Sequence, residues 1–550
     1  MRQKLLLLAM VLIAPFIKVD ACTNLIVAKG ASTDGSVIVS YSADSFGLFG
    51  YLAHYPRAIH KNGEMRKIYE WDTGKYLGEI AEAAETYNVI GNINEHQVTI
   101  AETTWGGRKE LHDPAGIMDY GSLIYVALQR SKTAREAIKV MTDLVKEYGY
   151  YSSGESFTIA DPDEVWVMEL IGKGENNKGA VWVAVRIPDD CIAAHANQSR
   201  IHKFDLKDKE NVLYSPDVIS FAREMGYFSG KNKDFSFSDA YNPLDFGGRR
   251  YCDARAWSFL NMFNKEFGDK YLPYVLGESD DAFPLYVKPE HKLSVADVMR
   301  GMRDHYEGTP LDFTQDIAAG PYHTPYRMSP LTYKAGDVDM FNERPISTQQ
   351  PGFSFVAQMR SELPNEIGGV LWFGNDDANF VAYTPVYCCT DRVPECYRGD
   401  AQADCVTFSF DNAFWVCNWV AGMVRPWYDL KMPDVRKVQG RLENMFFAQQ
   451  SGVEQTAMTL YKESPAKCAE FLTNYTCMQA DVMIKEWNDL AKYLIVKWND
   501  GVQKKVNADG TFVRPESGTC APIVRPGYPE EYRKVILEAT GERWVVPAKK

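Results

Sequence analysis

A chain of 550 residues with 45% hydrophobic and 13% aromatic content has enough apolar material for a large core. Its formal charge of -13 carries no long like-charge blocks, which favours solubility and argues against nucleic acid as a partner. Beyond the opening residues the apolar runs are strand-sized, so stable membrane insertion is not expected.

In chain order, the first element is a leader. Met1 to Lys4 carries positive charge, Leu5 to Ile13 is an unbroken apolar run, and Val19-Asp20-Ala21 is a short-side-chain cleavage site. The expectation is an exported protein, periplasmic or secreted, cut between Ala21 and Cys22. Cleavage there leaves a thiol and a free α-amine on one residue, a nucleophile with its own base. A competing reading is a lipidated anchor at Cys22, in which both groups are acylated; the Val19-Asp20 pair departs from the usual lipoprotein signal.

Leu25 to Ala28 and Val37 to Ser40 read as a hairpin around Thr33-Asp34-Gly35-Ser36, which brings Asp44 back towards Cys22. There a carboxylate can hold the α-ammonium group, and a turn-capping role fits the same spacing. Short strands are expected over 87–93 and 97–102, followed by a turn at 103–108. Helices are expected over 120–130 and from the capping box Thr133 to Glu136 up to about Tyr148. Strands 157–160, 165–171 and 180–187 come next, so that strands flank helices on both sides.

The polar cluster Ala193 to Ile201 contains Asn197, whose uncharged amide could donate to an oxyanion or simply occupy a turn, and His195, read as structural. From about 205 to 335 the texture becomes aromatic helices and loops. His305 and its neighbouring carboxylates lack the spacing that sets two imidazoles on one helical face, so no metal is expected. Strands are expected over 352–360 and 369–384, then helices over 414–424, 434–450, 464–476, 479–497 and 530–538. Setting Cys22 aside, ten of the eleven cysteines remain. In an oxidising compartment disulfides are expected within Cys388, Cys389, Cys396, Cys405 and Cys417, and between Cys468 and Cys477 or Cys520.

Several of these strings, taken together and in this order, resemble one family. They are Cys22-Thr23-Asn24-Leu25-Ile26-Val27, Thr33-Asp34-Gly35-Ser36, the stretch Leu128 to Ala137, Asp163-Glu164-Val165-Trp166, Arg186 to Asp190, Ala196 to Ile201 and the loop His305 to Asp312. The chain is similar to the PepD-like bacterial cysteine dipeptidases of the N-terminal nucleophile hydrolase superfamily, which also holds penicillin V and bile-salt amidases. The resemblance implies an α+β fold, a four-layer αββα sandwich forming one catalytic domain over 22–550, with an insertion at about 205–335 and a helical part at about 412–550. It implies a dipeptide or short peptide substrate, no cofactor, Cys22 as nucleophile, Asp44 beside it and Asn197 in an oxyanion hole. An N-acyl amidase on the same scaffold and an inactive binding protein are the alternatives.

Tyr41 stands where the family often carries Arg, so positive charge must reach the site from elsewhere, for instance from Arg255, which matches an Arg-x-Trp string of the family. For substrate, Glu102 is assigned to the ammonium and Arg255 to the carboxylate. Self-association is left open.

Overall fold

The computed structural model describes residues 22–548. The leader expected over 1–21 lies outside the described residues. The fold is mixed α and β, built on two large antiparallel sheets. One has seven strands in the spatial order Tyr286–Val287, Ile192–His195, Asn24–Val27, Val37–Asp44, Pro351–Met359, Val370–Asn375 and Thr384–Tyr387. The other has eight, and its long central members are Thr99–Gly106, Gly154–Ala160, Val165–Gly172 and Ala180–Arg186.

The sheets meet where Asn24–Val27 and Val37–Asp44 pack on Thr99–Gly106 and Gly154–Ala160. Alternation along the strands explains how the eight-stranded sheet buries both faces. Ala101, Val165 and Val167 join the large core between the sheets, whereas Ile100, Phe157, Ile159, Trp166 and Met168 join a second core under helices Tyr120–Leu128 and Ala134–Tyr148. Thr133 caps the second of these helices by accepting from the Glu136 N–H at 3.2 Å, and Gly149 ends it at φ +79°. Helices Ala254–Phe263, Val295–Gly301 and Ala413–Val424 pack against the seven-stranded sheet.

Four expectations change. The turn expected at 103–108 is strand as far as Gly106, because Thr103, Thr104 and Trp105 favour the pleated state and pair with Gly154–Ala160. The strand expected over 369–384 is two strands, broken at Asp376, which turns at φ +80°. The helices expected over 464–476 and 479–497 are one helix of 34 residues, Pro465–Trp498, since no Gly or Pro interrupts it. It lies antiparallel to Tyr428–Glu463, with Lys497–Asp434 and Arg441–Glu486 ion pairs marking the register.

The disulfides are the fourth: all eleven cysteines are free. Cys388 donates to the Asn365 carbonyl at 3.0 Å and Cys396 to the Ala480 carbonyl at 3.8 Å, so these thiols fill packed apolar sites between strand and helix. Among the described residues no helix is long and apolar enough to cross a membrane.

Candidate active site

The hairpin register fixes the position of Cys22. Ile26 pairs with Val39 and Thr23 with Ser42, the latter through Thr23 N–H to Ser42 O at 3.3 Å and Ser42 N–H to Thr23 O at 3.0 Å. Continued by one residue, this ladder sets Cys22 opposite Ala43 and beside Asp44. All three are buried.

Asp44 ends its strand with its carboxylate held on two sides. Ser42 Oγ donates to Oδ1 at 2.5 Å, and Arg344 Nη2 donates to Oδ2 at 3.0 Å in a fully buried ion pair. Burial still pushes the Asp44 carboxyl up to about 6, against the pull of Arg344.

Arg255 arrives on the first turn of helix Ala254–Phe263, after a π-helical turn over Gly248–Asp253. Its Nη1 donates to the Cys22 carbonyl at 2.7 Å and to Thr23 Oγ1 at 2.8 Å. Nη2 donates to the Ala196 carbonyl at 3.1 Å and Asn197 Oδ1 at 2.9 Å, and Nε donates to the Tyr251 carbonyl at 2.6 Å. With every nitrogen engaged and the residue fully buried, the guanidinium is not available as the expected clamp for a substrate carboxylate. It ties the Cys22 backbone to Asn197 instead.

Asn197 has φ +61°, a left-handed position that Asn tolerates better than most residues. Its amide nitrogen donates to the Thr104 carbonyl at 2.6 Å while its oxygen faces Arg255. The second amide hydrogen is uncommitted by that pairing, and the guanidinium on Oδ1 fixes the amide orientation and polarises its N–H. His195 is structural: Thr103 and Thr158 hydroxyls bracket its two ring nitrogens at 2.7 Å each, and burial pushes it down to about 3.

On the opposite side of the thiol stands Glu102. Cys22 Sγ donates to Glu102 Oε1 at 3.2 Å, and the Tyr41 hydroxyl donates to the same oxygen at 2.5 Å, lying 3.6 Å from the sulfur. Asn24 Nδ2 locks the strand by donating to the Glu102 carbonyl at 2.8 Å. Burial pushes the Glu102 carboxyl up to about 7. The Cys22 thiol is pushed well above its ordinary range by burial first and then by the charges of Glu102 and Asp44, so it needs a base to lose its proton.

These groups open on a cavity of about 380 Å³, in the size range of small-molecule sites. Cys22, Tyr41, Asp44 and Glu102 line it, whereas Asn197 and Arg255 do not. Helix Tyr120–Leu128 closes it with Tyr120, Ile124 and Tyr125. Among the described residues no group of three or more His, Cys, Asp or Glu side chains could hold a metal.

Sequence reasoning missed Ser42, Arg344 and Glu155. Nothing local marks Arg344, which reaches Asp44 from 300 positions away. Glu155 had a signal: it shares a strand face with Phe157 and Ile159, and a carboxyl on an apolar face is unusual. Glu102 carries the same mark beside Ile100.

A buried thiol at a strand end, held by an Arg-bound backbone and facing a small polar cavity, is the arrangement of a peptide-bond hydrolase with a cysteine nucleophile. Comparison of the whole sequence agrees, since the profile of Peptidase family C69 matches residues 21–70 and 49–441. The chain belongs to peptidase family C69. It is 29% identical to a probable dipeptidase of Salmonella dublin over 67% of this chain and 81% of the relative. It is 27% identical to a probable dipeptidase of Latilactobacillus sakei, over 75% and 82% of the two chains. With Dipeptidase A of Lactobacillus helveticus the identity is 25%, over 78% and 85%.

Proposed function

We propose that this peptidase is an exported dipeptidase that works through a Cys22 thioester, within an N-terminal nucleophile sandwich spanning 22–550 as one catalytic body. Removal of 1–21 exposes the Cys22 α-amine. That amine, with an ordinary pKa of about 7.7 to 8.0, takes the thiol proton, and Asp44 balances the charge it then carries.

The thiolate attacks the scissile carbonyl, forming the S–C bond while the carbonyl oxygen takes negative charge. The second Asn197 N–H supports that oxyanion, a contribution of about 3 kcal/mol for a single donor. As the C–N bond breaks, the amine proton passes to the leaving nitrogen. Water then hydrolyses the thioester and restores the thiol. Arg255 is a positioning residue in this scheme, since it holds both the Cys22 carbonyl and the Asn197 amide.

The observation that carries the reading is the strand-register placement of Cys22 beside Asp44. The dipeptidase names of the relatives support the substrate class. The test is mass analysis of the mature amino-terminal peptide followed by dipeptide hydrolysis by wild type and Cys22→Ala. A free Cys22 at the terminus with activity lost in the variant is expected. A diacylglyceryl mass on Cys22, or undiminished activity in Cys22→Ala, would overturn it.

A further inference from the structure

The cavity beside Cys22 is lined by five acidic side chains, Asp44, Glu70, Asp72, Glu102 and Glu155, and among the described residues by no lysine or arginine. Asp44 is matched by Arg344. Glu102 and Glu155, both buried, have no ion pair among the described residues.

Their hydrogen bonds are also incomplete. Glu102 Oε1 accepts from Cys22 and Tyr41, and Glu155 Oε1 accepts from Thr104 Oγ1 at 2.6 Å. Among the described residues no donor reaches Oε2 of either residue. The two carboxyls lie within hydrogen-bonding reach of each other, so among the described residues a proton held between them is what can satisfy them. Burial pushes both up, which keeps that proton in place while the cavity is empty.

The distance to the nucleophile says what belongs there. In a peptide with a free amino end, the ammonium nitrogen of the first residue stands about 2.5 Å from that residue's carbonyl carbon, from ordinary backbone geometry. A sulfur poised for attack lies about 3 to 3.5 Å from the same carbon. The ammonium therefore falls within about 6 Å of Sγ, and Glu102 Oε1 is 3.2 Å from Sγ.

We propose that Glu102 and Glu155 together form the subsite for the free α-ammonium of the substrate's first residue, so that the enzyme measures its substrate from the amino end. On binding, the ammonium donates to the unsatisfied carboxyl oxygens and the shared proton leaves to solvent. One residue alone then fits before the scissile bond, because a longer amino-side chain would set a neutral amide against two buried carboxyls. The carboxy end meets no cation in the cavity, so its charge goes unread. This deepens the proposed function and rests on Cys22 as the nucleophile.

The experiment compares kcat/KM of the mature wild-type enzyme on alanyl-phenylalanine, its N-acetyl derivative and its carboxy-terminal amide, then repeats the free dipeptide with Glu155→Gln. Acetylation is expected to cost at least about 30-fold, the effect of removing one partner of a buried charge pair. Amidation is expected to cost less than about fivefold, as for an exposed charge. Glu155→Gln is expected to raise KM about tenfold with kcat within about threefold, a split that a packing role would not produce.

Equal turnover of the acetylated and free dipeptides, or a larger loss on amidation than on acetylation, would overturn the inference and leave the thiol peptidase intact. Failure to cleave all three by enzyme with a free Cys22 would instead overturn the proposed function itself. The wild-type comparison decides the matter even if the variant does not fold.

Discussion

Two buried glutamates on neighbouring strands are treated in opposite ways. Glu169 faces the space between the sheets, where the Ser199 hydroxyl and the Arg200 and Ile201 backbone N–H groups all donate to it and Ser156 Oγ adds a bond at 3.3 Å. Glu155, one strand away on the other face, receives a single bond from Thr104 and leaves Oε2 without a donor among the described residues. The same side chain is a structural clamp in one place and an uncompensated group in the other. Buried polar groups are normally satisfied, so a deficit beside the Cys22 thiol is where the proposed subsite finds its partner.

Variants can break this contrast, and the largest effect is expected at Cys22. Cys22→Ala is expected to lower kcat/KM by at least about 10³-fold with unchanged circular dichroism, because the proposed acyl bond forms on the Cys22 sulfur. Activity retained to within tenfold would place the chemistry elsewhere.

The next effect is on stability. Glu169→Gln puts an amide N–H2 where donors already converge, and should cost about 2 to 3 kcal/mol in urea unfolding. Glu155→Gln should cost less than about 1 kcal/mol, since its carboxyl is held protonated by burial and an amide resembles that form. Equal losses would erase the distinction between the two sites.

The pH profile sharpens it. The Glu102 carboxyl, raised to about 7, must be ionised to receive an ammonium. Below that value it is protonated, so kcat/KM for a free dipeptide should fall with falling pH, by up to about tenfold per unit. A profile flat from pH 8 to 5.5 would contradict the assignment. The smallest expected effect lies far from the site: Thr133→Ala removes the cap of helix Ala134–Tyr148 and should cost about 1 kcal/mol with kcat/KM unchanged.

The sequence showed what local patterns carry. The hairpin after Cys22, the Thr133 cap and the strands either side of the helices were legible because alternation and capping are short-range signals. The single helix Pro465–Trp498 was legible as helix but not as one piece, since its apolar stripe blurs near Cys477 without any chain-breaking residue. Cys22, Asp44 and Asn197 were picked out by a leader boundary and family-like strings. The ion pair of Arg344 with Asp44, 300 residues apart, and the bonds of Arg255 to Cys22 and Thr23, 233 and 232 residues apart, leave no local trace.

The sequence suggested Glu102 for the substrate ammonium without its neighbour, because Glu155 meets it through the strand pairing of Thr104 with Glu155. That pairing turns one carboxyl into two.

The most direct test is to quench the enzyme in acid during turnover of alanyl-phenylalanine and weigh its amino-terminal peptide. The account predicts an alanyl group on Cys22, released by hydroxylamine and absent from Cys22→Ala. An unmodified Cys22 under conditions where the bond-breaking step is shown to outpace hydrolysis, or an acyl group on any other residue, would contradict it.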